Sequence, residues 1–407
     1  MLKDYVNLFK NLRKEIKLLL FALIFFGLGG AYFSLIFNLY LRELGLKEGT
    51  IGLILSYRIL GNVLFVLPAA YIVQKYSPRI VFSSSHFMYV VLQLLLVLFP
   101  QRGLLLSLSV LTGLSEMLFS IATAPYLMDH SEREERPYIF SMVFGTNLIS
   151  HAIGSLTGGF FPDLFSRYLS IATSYQLTLF IGIAISIFGL PYLLKLPKQI
   201  THQSDNPWKL WRKLRYHLVL KLLPPRFLIS LGAGLFVPFL NLYFKTVHNL
   251  SSNTIGILFT LAQFSTFISV LNTPRLIKKI GLVRTVVFTE ALSLPFMYLL
   301  GTSKAMSLVV PSFLIRQALM NMSGPANQNF TMEVATPQER PAITSIMALS
   351  DSIARAFSIR MGGLIIEYWN YSYVFYAAMV LYAASITIFY IFFSRYERDN
   401  LTQKQSN

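Results

Sequence analysis

Three observations predict an all-α integral membrane protein of twelve transmembrane helices arranged as two parallel six-helix repeats. Of 407 residues, 54% are hydrophobic and only 13% charged, about half the roughly 25% charge of an ordinary soluble domain. Twelve runs are long and apolar enough to cross a bilayer core, which takes about 20 residues per helix. The chain also matches itself when shifted by 204 residues. A mean hydropathy of +0.56 excludes a soluble multidomain protein, whose surface would aggregate, and it excludes intrinsic disorder.

Taken in order, the spans are Leu18–Leu41, Ile51–Val73, Ile80–Pro100, Leu104–Leu127, Tyr138–Phe161 and Tyr175–Leu194, then Phe227–Phe244, Thr254–Pro274, Thr285–Thr302, Ala305–Phe330, Ala342–Ile366 and Tyr373–Ser394. The first, sixth, seventh, eighth and twelfth contain no Asp, Glu, Lys, Arg or His. Barrel strands would alternate over about 10 residues, and these runs are too long and too uniformly apolar for that. The first span is too long for a signal-peptide core and has no small-residue cleavage site, so it is expected to stay in the mature chain.

The net charge of +17 follows the same plan. With both ends inside, 25 of the 35 Lys and Arg fall on cytoplasmic segments and 6 on outer loops, the bias that orients multi-pass proteins. The organisation is then a cytoplasmic segment 1–17, a first half 18–194, a basic linker 195–226, a second half 227–394 and a cytoplasmic tail 395–407, in the cell's inner (plasma) membrane. In the linker Trp208, Trp211, Leu214, Leu218 and Leu222 recur at helical spacing, with Lys209, Arg212, Lys213 and Lys221 on other faces. That pattern reads as an amphipathic helix on the anionic inner leaflet, or as a solvated linker.

The 204-residue shift aligns Thr50-Ile51-Gly52 with Thr254-Ile255-Gly256, Glu135-Arg136-Pro137 with Glu339-Arg340-Pro341, and Gly158-Gly159 with Gly362-Gly363. Lys75/Lys279, Met128/Met332 and Ser141/Ser345 also fall in line, and a shift of 203 pairs Asn38-Leu39-Tyr40 with Asn241-Leu242-Tyr243. Matches between apolar helices arise easily, but a Glu-Arg-Pro recurring in a polar loop does not.

Two six-helix halves, a basic central loop and loop signatures after spans two and eight resemble the major facilitator superfamily of secondary transporters, over about residues 15–395. That family's loop signature is Gly-x-x-x-Asp-(Arg/Lys)-x-Gly. Here the first copy runs from Ala70 through Gln74, Lys75 and Ser77 to Arg79, so the acid position holds an uncharged hydrogen-bonding group. The second, Pro274 through Lys278-Lys279 to Gly281 and Arg284, keeps the later Gly and the bases. In the fifth span Gly145, Gly154, Gly158 and Gly159 have spacing that looks like the family's antiporter signature, without its Pro and without its closing Gly pair; small residues so spaced equally permit close helix packing.

The resemblance implies alternating access, with spans one, four, seven and ten lining a central cavity. Spans four and ten carry Glu116 and Arg316 near mid-depth. Thr112, Glu116, Ser120 and Thr123 form one polar stripe; Ser312, Arg316, Ser323 and Asn327 form another, with Gln317, Asn321 and Gln328 beside it. Ionisable residues in a bilayer are expensive and face a pathway by default. Glu116 and Arg316 are therefore expected to bind substrate or couple to protons, or to form a fixed pair. Asp351 and Arg355, four apart, pair along their helix or serve a cavity or gate. His151 is a proton-relay candidate or a core histidine, and Arg58 lines the outer gate or snorkels. His86 and Glu290, at equivalent repeat positions, are expected near a membrane interface.

The inner gate is expected in the loops, with Gln74, Lys75, Arg79, Lys278 and Lys279 facing Glu135, Arg136, Glu339 and Arg340; helix-start capping is the alternative. No Gly-x-x-x-x-Gly-Lys-(Ser/Thr) phosphate loop, cysteine or paired-histidine ligand set exists in the sequence. The expected protein is no enzyme and needs no metal or cofactor. It is a monomer in contact with lipid, a small solute and protons or another coupling ion, and not with nucleic acid. A slight lean to export follows from the glycine spacing; an uncoupled channel, flippase or sensor is the alternative.

Overall fold

A computed structural model describes residues 12–132, 135–198, 215–336 and 339–405, and all its regular elements there are helical. The helices are α1 Lys14–Glu43, α2 Glu48–Lys75, α3 Pro78–Leu98, α4 Arg102–Asp129, α5 Arg136–Phe165 and α6 Ile171–Ile187, the last followed by a single turn at Leu190–Leu193. Then come α7 Tyr216–Phe236, extended through a 3-10 turn into Leu240–Thr246, α8 Ser252–Ile280, α9 Leu282–Thr302, α10 Met306–Val334, α11 Arg340–Tyr368 and α12 Tyr371–Gln405. Eleven of them are long and apolar enough to cross a membrane. The remaining one, α10, has 29 residues, about 43 Å of helix, and carries the polar line of Arg316, Gln317, Asn321 and Asn327.

The chain forms two compact units, one of residues 1–46, 57–204 and 244–260, the other of 47–56, 205–243 and 261–407. In the first, α1 packs on α5 and α6, α3 on α4, and α6 on α3. In the second, α7 packs on α11 and α12, α9 on α10, and α12 on α9. The second pattern is the first advanced by six helices. Each unit has its own aromatic cluster, Phe82, Phe119 and Tyr126 in one and Phe330, Phe389 and Phe393 in the other.

Two of the repeated sequence motifs meet each other. A Cβ on Gly159 would lie 2.8 Å from the Gly256 Cα, and one on Gly52 would lie 3.2 Å from the Gly363 Cα. The Gly-Gly and Thr-Ile-Gly motifs thus let helix backbones touch, α5 on α8 and α2 on α11, as small residues do in membrane proteins. Gly154 and Gly158 likewise seat α5 on Leu28, Ala31 and Tyr32 of α1, whereas Gly145 faces open space.

The seventh helix begins at Tyr216, inside the segment read as linker. Leu218 and Leu222 are core residues of α7, packed with Val283, Val286 and Phe389, and not a lipid-facing stripe. Trp208, Trp211, Leu214 and the bases between them lie outside the described residues.

Candidate functional site

In the first unit the polar centre is an ion pair between α2 and α4. Arg58 Nε donates to Glu116 Oε2 at 3.1 Å, and Nη2 contacts Oε1. Glycines make this possible. A side chain at Gly113 would run into the Arg58 carbonyl, and one at Gly61 into that of Val110. With the backbones this close, the long Arg58 folds onto Glu116, and Tyr89 of α3 stands against the pair. Glu116 is therefore partnered within its own half. Around it the hydroxyl stripe is partly spent: Thr112 and Thr123 donate to their own helix at Leu108 and Phe119, both 2.8 Å, and Ser120 is exposed. His151 is half-buried on α5. His86, read as interfacial, is buried, with Nε2 2.8 Å from the Ser186 carbonyl and Phe26 beside its ring.

The second unit holds a cavity of about 260 Å³ among α7, α9, α10, α11 and α12. Arg316 and Glu290 line it, respectively 3% and 2% exposed. The Arg316 guanidinium lies 4.7 Å from the Phe236 ring centroid and donates to the Tyr382 hydroxyl at 3.0 Å. Glu290, also read as interfacial, accepts from Asn327 Nδ2 at 3.5 Å. Asp351 does not pair with Arg355 along α11. It takes the Arg226 fork from α7, with Nε at 3.1 and 2.9 Å and Nη2 at 2.6 Å, and the Ser230 hydroxyl at 2.7 Å. Arg355 is exposed at the same cavity, and Ser323 donates to the Met320 carbonyl.

The loop residues act mostly on helix ends. Arg136 reaches back to the Met128 carbonyl at 3.2 Å, and Arg340, its repeat partner, to Met332 at 3.0 Å. Glu135 accepts from the Glu132 amide and Glu339 from the Thr336 amide. In both copies of Glu-Arg-Pro the Glu thus accepts from the amide three residues before it and the Arg ties off the last turn of the preceding helix. Glu339 also binds Arg215, at 2.9 and 3.1 Å from Nε and 2.8 Å from Nη2. The Arg215 guanidinium, with the Thr336 hydroxyl and amide, holds the Glu339 carboxyl well below the usual carboxylate range. Its basic partner is therefore Arg215 and not Lys278 or Lys279, which are exposed. Lys75 stacks over Tyr71 and Tyr76, Arg79 donates to the Leu196 carbonyl, and Gln74 is half-buried.

One further feature joins the α5 and α11 ends to neighbouring helix starts. Asp163 accepts from the Ser252 and Asn253 amides at 3.2 and 2.9 Å, and Glu367 from the Gly49 amide at 3.0 Å. Asp163 and Glu367 are 204 residues apart, as are Gly49 and Asn253. Each carboxylate meets the positive end of a helix. Two acids at one repeat position were the available sequence signal. Glu290 had a signal too, as the one charge inside Thr285–Thr302.

Long apolar helices packed through glycines, with charges buried among them, are the features of a multi-pass membrane protein. The sequence profile of the Major Facilitator Superfamily matches residues 19–227 and again 222–407. The chain belongs to that superfamily of secondary transporters, a membrane transport family and not an enzyme family. Its fold is similar to a single-site variant of the nucleoside transporter NupG, with TM-score 0.77 at 14% identity over 94% of this chain and all of that one. It is similar too to a bacterial homologue of the human lysosomal transporter Spinster, inward-facing and unoccupied (TM-score 0.72, 11% identity, 92% and 95% covered). A bacterial homologue of the iron transporter ferroportin, inward-facing, gives TM-score 0.70 at 14% identity, with 92% and 97% covered. No curated protein matches significantly by sequence.

Proposed function

We propose that this chain is a secondary active transporter that moves a small solute across the plasma membrane by alternating access, coupled to protons and directed outward. The observation that carries the reading is the set of ionisable side chains inside apolar helices: Arg58 with Glu116, and Glu290, Arg316 and Asp351 around one cavity. Such groups are costly in a bilayer and mark solute and proton pathways. Glu290 is the preferred proton carrier, being buried and touched by an amide where Asp351 has a guanidinium. Twelve spans in two parallel repeats are supported by the six-helix recurrence of the packing pattern and by the double family match. Cytoplasmic termini rest on the 25 basic residues assigned to one side, and export on the α5 glycine spacing. A monomer in lipid suffices for this mechanism.

The test is proton flux in sealed proteoliposomes loaded with a pH-sensitive dye and challenged with a panel of organic acids, sugars, nucleosides and amphipathic amines. At least one solute should change the internal pH, the change should vanish with a protonophore, and Glu290→Gln should abolish it. Solute movement indifferent to the protonophore would make the protein a channel or flippase, and silence across the panel would refute transport of these classes.

A further inference from the structure

We propose that the cavity of the second unit binds the oxyanion of a compact organic acid, a carboxylate or a phosphate monoester, with the Arg316 guanidinium as its anchor. This rests on reading that cavity as the solute's site and adds the chemical class of the solute.

A guanidinium stays charged under all relevant conditions and carries five N–H donors. Burying such a charge costs several kcal/mol unless an anion and further hydrogen bonds compensate. The compensation Arg316 receives is neutral: the Phe236 face, the Tyr382 hydroxyl, and Gln317 Oε1 at 3.4 Å from Nη1. Its buried Nε meets no acceptor, and among the described residues no carboxylate lies within ion-pair distance of it. Of the cavity's two acids, one is ion-paired and the other meets a neutral amide. Asp351 is saturated by Arg226 and Ser230, and Glu290 sits with Asn327. With Arg226 and Asp351 cancelling, Arg316 and the exposed Arg355 outnumber Glu290, so the net charge of this cavity is positive, and the Arg316 guanidinium is fork-shaped, the geometry that suits carboxylate and phosphate.

The remaining lining fixes the rest of the ligand. Gln317, Asn321 and Asn327 supply amides; Met320, Met347 and Phe389 supply an apolar wall. About 260 Å³ falls just under the roughly 300–1,000 Å³ of sites for drug-sized ligands, so the acid is small. The site is also confined to one half. At the 204-residue offset the positions of Arg316, Glu290, Asp351 and Arg355 hold Thr112, His86, Asn147 and His151, none of which is an acid or a permanent cation. The two halves fold alike and differ in this constellation.

Thermal unfolding of the purified full-length protein in detergent tests the proposal without requiring transport. The probes are benzoate, succinate and phenyl phosphate, each at matched ionic strength, with benzamide and succinamide as neutral counterparts. At a hundredfold excess over Kd, one or more of the anions should raise the Tm by at least about 5 °C, and the amides should not. A response to carboxylates alone or to phenyl phosphate alone names which oxyanion is the ligand. Arg316→Lys, which keeps the charge but loses the fork, should weaken binding at least tenfold, and Arg316→Met should abolish it. No shift with any of the three anions would overturn the proposal, as would equal shifts with the amides or an unchanged response in Arg316→Lys. Binding without proton-coupled flux leaves this proposal standing and removes the transport reading; flux of a neutral solute with no anion binding does the reverse.

Discussion

Removing either member of the Arg58–Glu116 pair should destabilise the first unit far more than removing both. The two side chains are 28% and 22% exposed, so about three-quarters of each is withdrawn from water. An exposed ion pair contributes at most about 1 kcal/mol, whereas breaking a buried one costs about 3–5 kcal/mol because the survivor is left charged and unpaired. The burial here, with a two-pronged contact between two closely packed helices, places Arg58→Met and Glu116→Met near about 3 kcal/mol each. The double variant replaces both charges by apolar groups of similar reach and should cost about 1 kcal/mol. At about 2–4 °C per kcal/mol for a unit of this size, each single variant should lower the Tm by about 6–12 °C and the double by a few degrees. The assay is a double-mutant cycle by thermal unfolding in one detergent at one scan rate. A cycle that closes additively, to within about 0.5 kcal/mol, would refute the pairing and return Glu116 to the status of a free carboxylate.

Three further outcomes follow from the geometry. Asp163→Ala and Glu367→Ala remove side-chain acceptors from helix starts, worth about 1 kcal/mol each, so amide exchange should speed up roughly fivefold at Ser252 and Asn253 in one variant and at Gly49 in the other; unchanged protection would show that these contacts hold nothing. Glu339, whose carboxyl is held below its unfolded value, stabilises the fold fully above that value, about 4.3, and its contribution is lost as pH falls from there toward the lower folded value. The Tm gap between the parent and Glu339→Gln should therefore be largest near neutral pH and shrink as the solution is acidified below about pH 4.3; a pH-independent gap would count against it. Gly113→Ala places a methyl against the Arg58 carbonyl and 2.9 Å from the Asn62 amide nitrogen, which should cost about 1–3 kcal/mol in thermal stability; a neutral result would mean that α2 and α4 can part at no cost.

Eleven long apolar helices were legible in the chain because hydrocarbon imposes a length and a composition that local sequence must meet. The start of α7 was not: Lys221, Arg226 and the Pro224-Pro225 pair interrupt the apolar run, and only packing against α9 and α12 shows Leu218 and Leu222 to be core. The burial of Glu290, read as interfacial, was not legible from its distance along the helix; the mid-span positions of Glu116 and Arg316 were. Partnership was not. The acid closest in sequence to Arg355 is Asp351, yet Arg226, 125 residues away from Asp351, reaches it first because α7 lies on α11.

By itself the sequence determined an all-α membrane chain, a recurrence at 204 residues and the short list of charges inside the apolar runs, because solvation and repetition are written along the chain. Only the tertiary structure decided which of those charges are paired off, as Arg58 with Glu116 and Arg226 with Asp351, and which, among the described residues, are not. Ion pairs and hydrogen bonds act over about 3–4 Å. That proximity is set by where helices cross, at Gly61, Gly113 and the contact of α7 with α11, and sequence spacing does not encode the rotation of one helix against another.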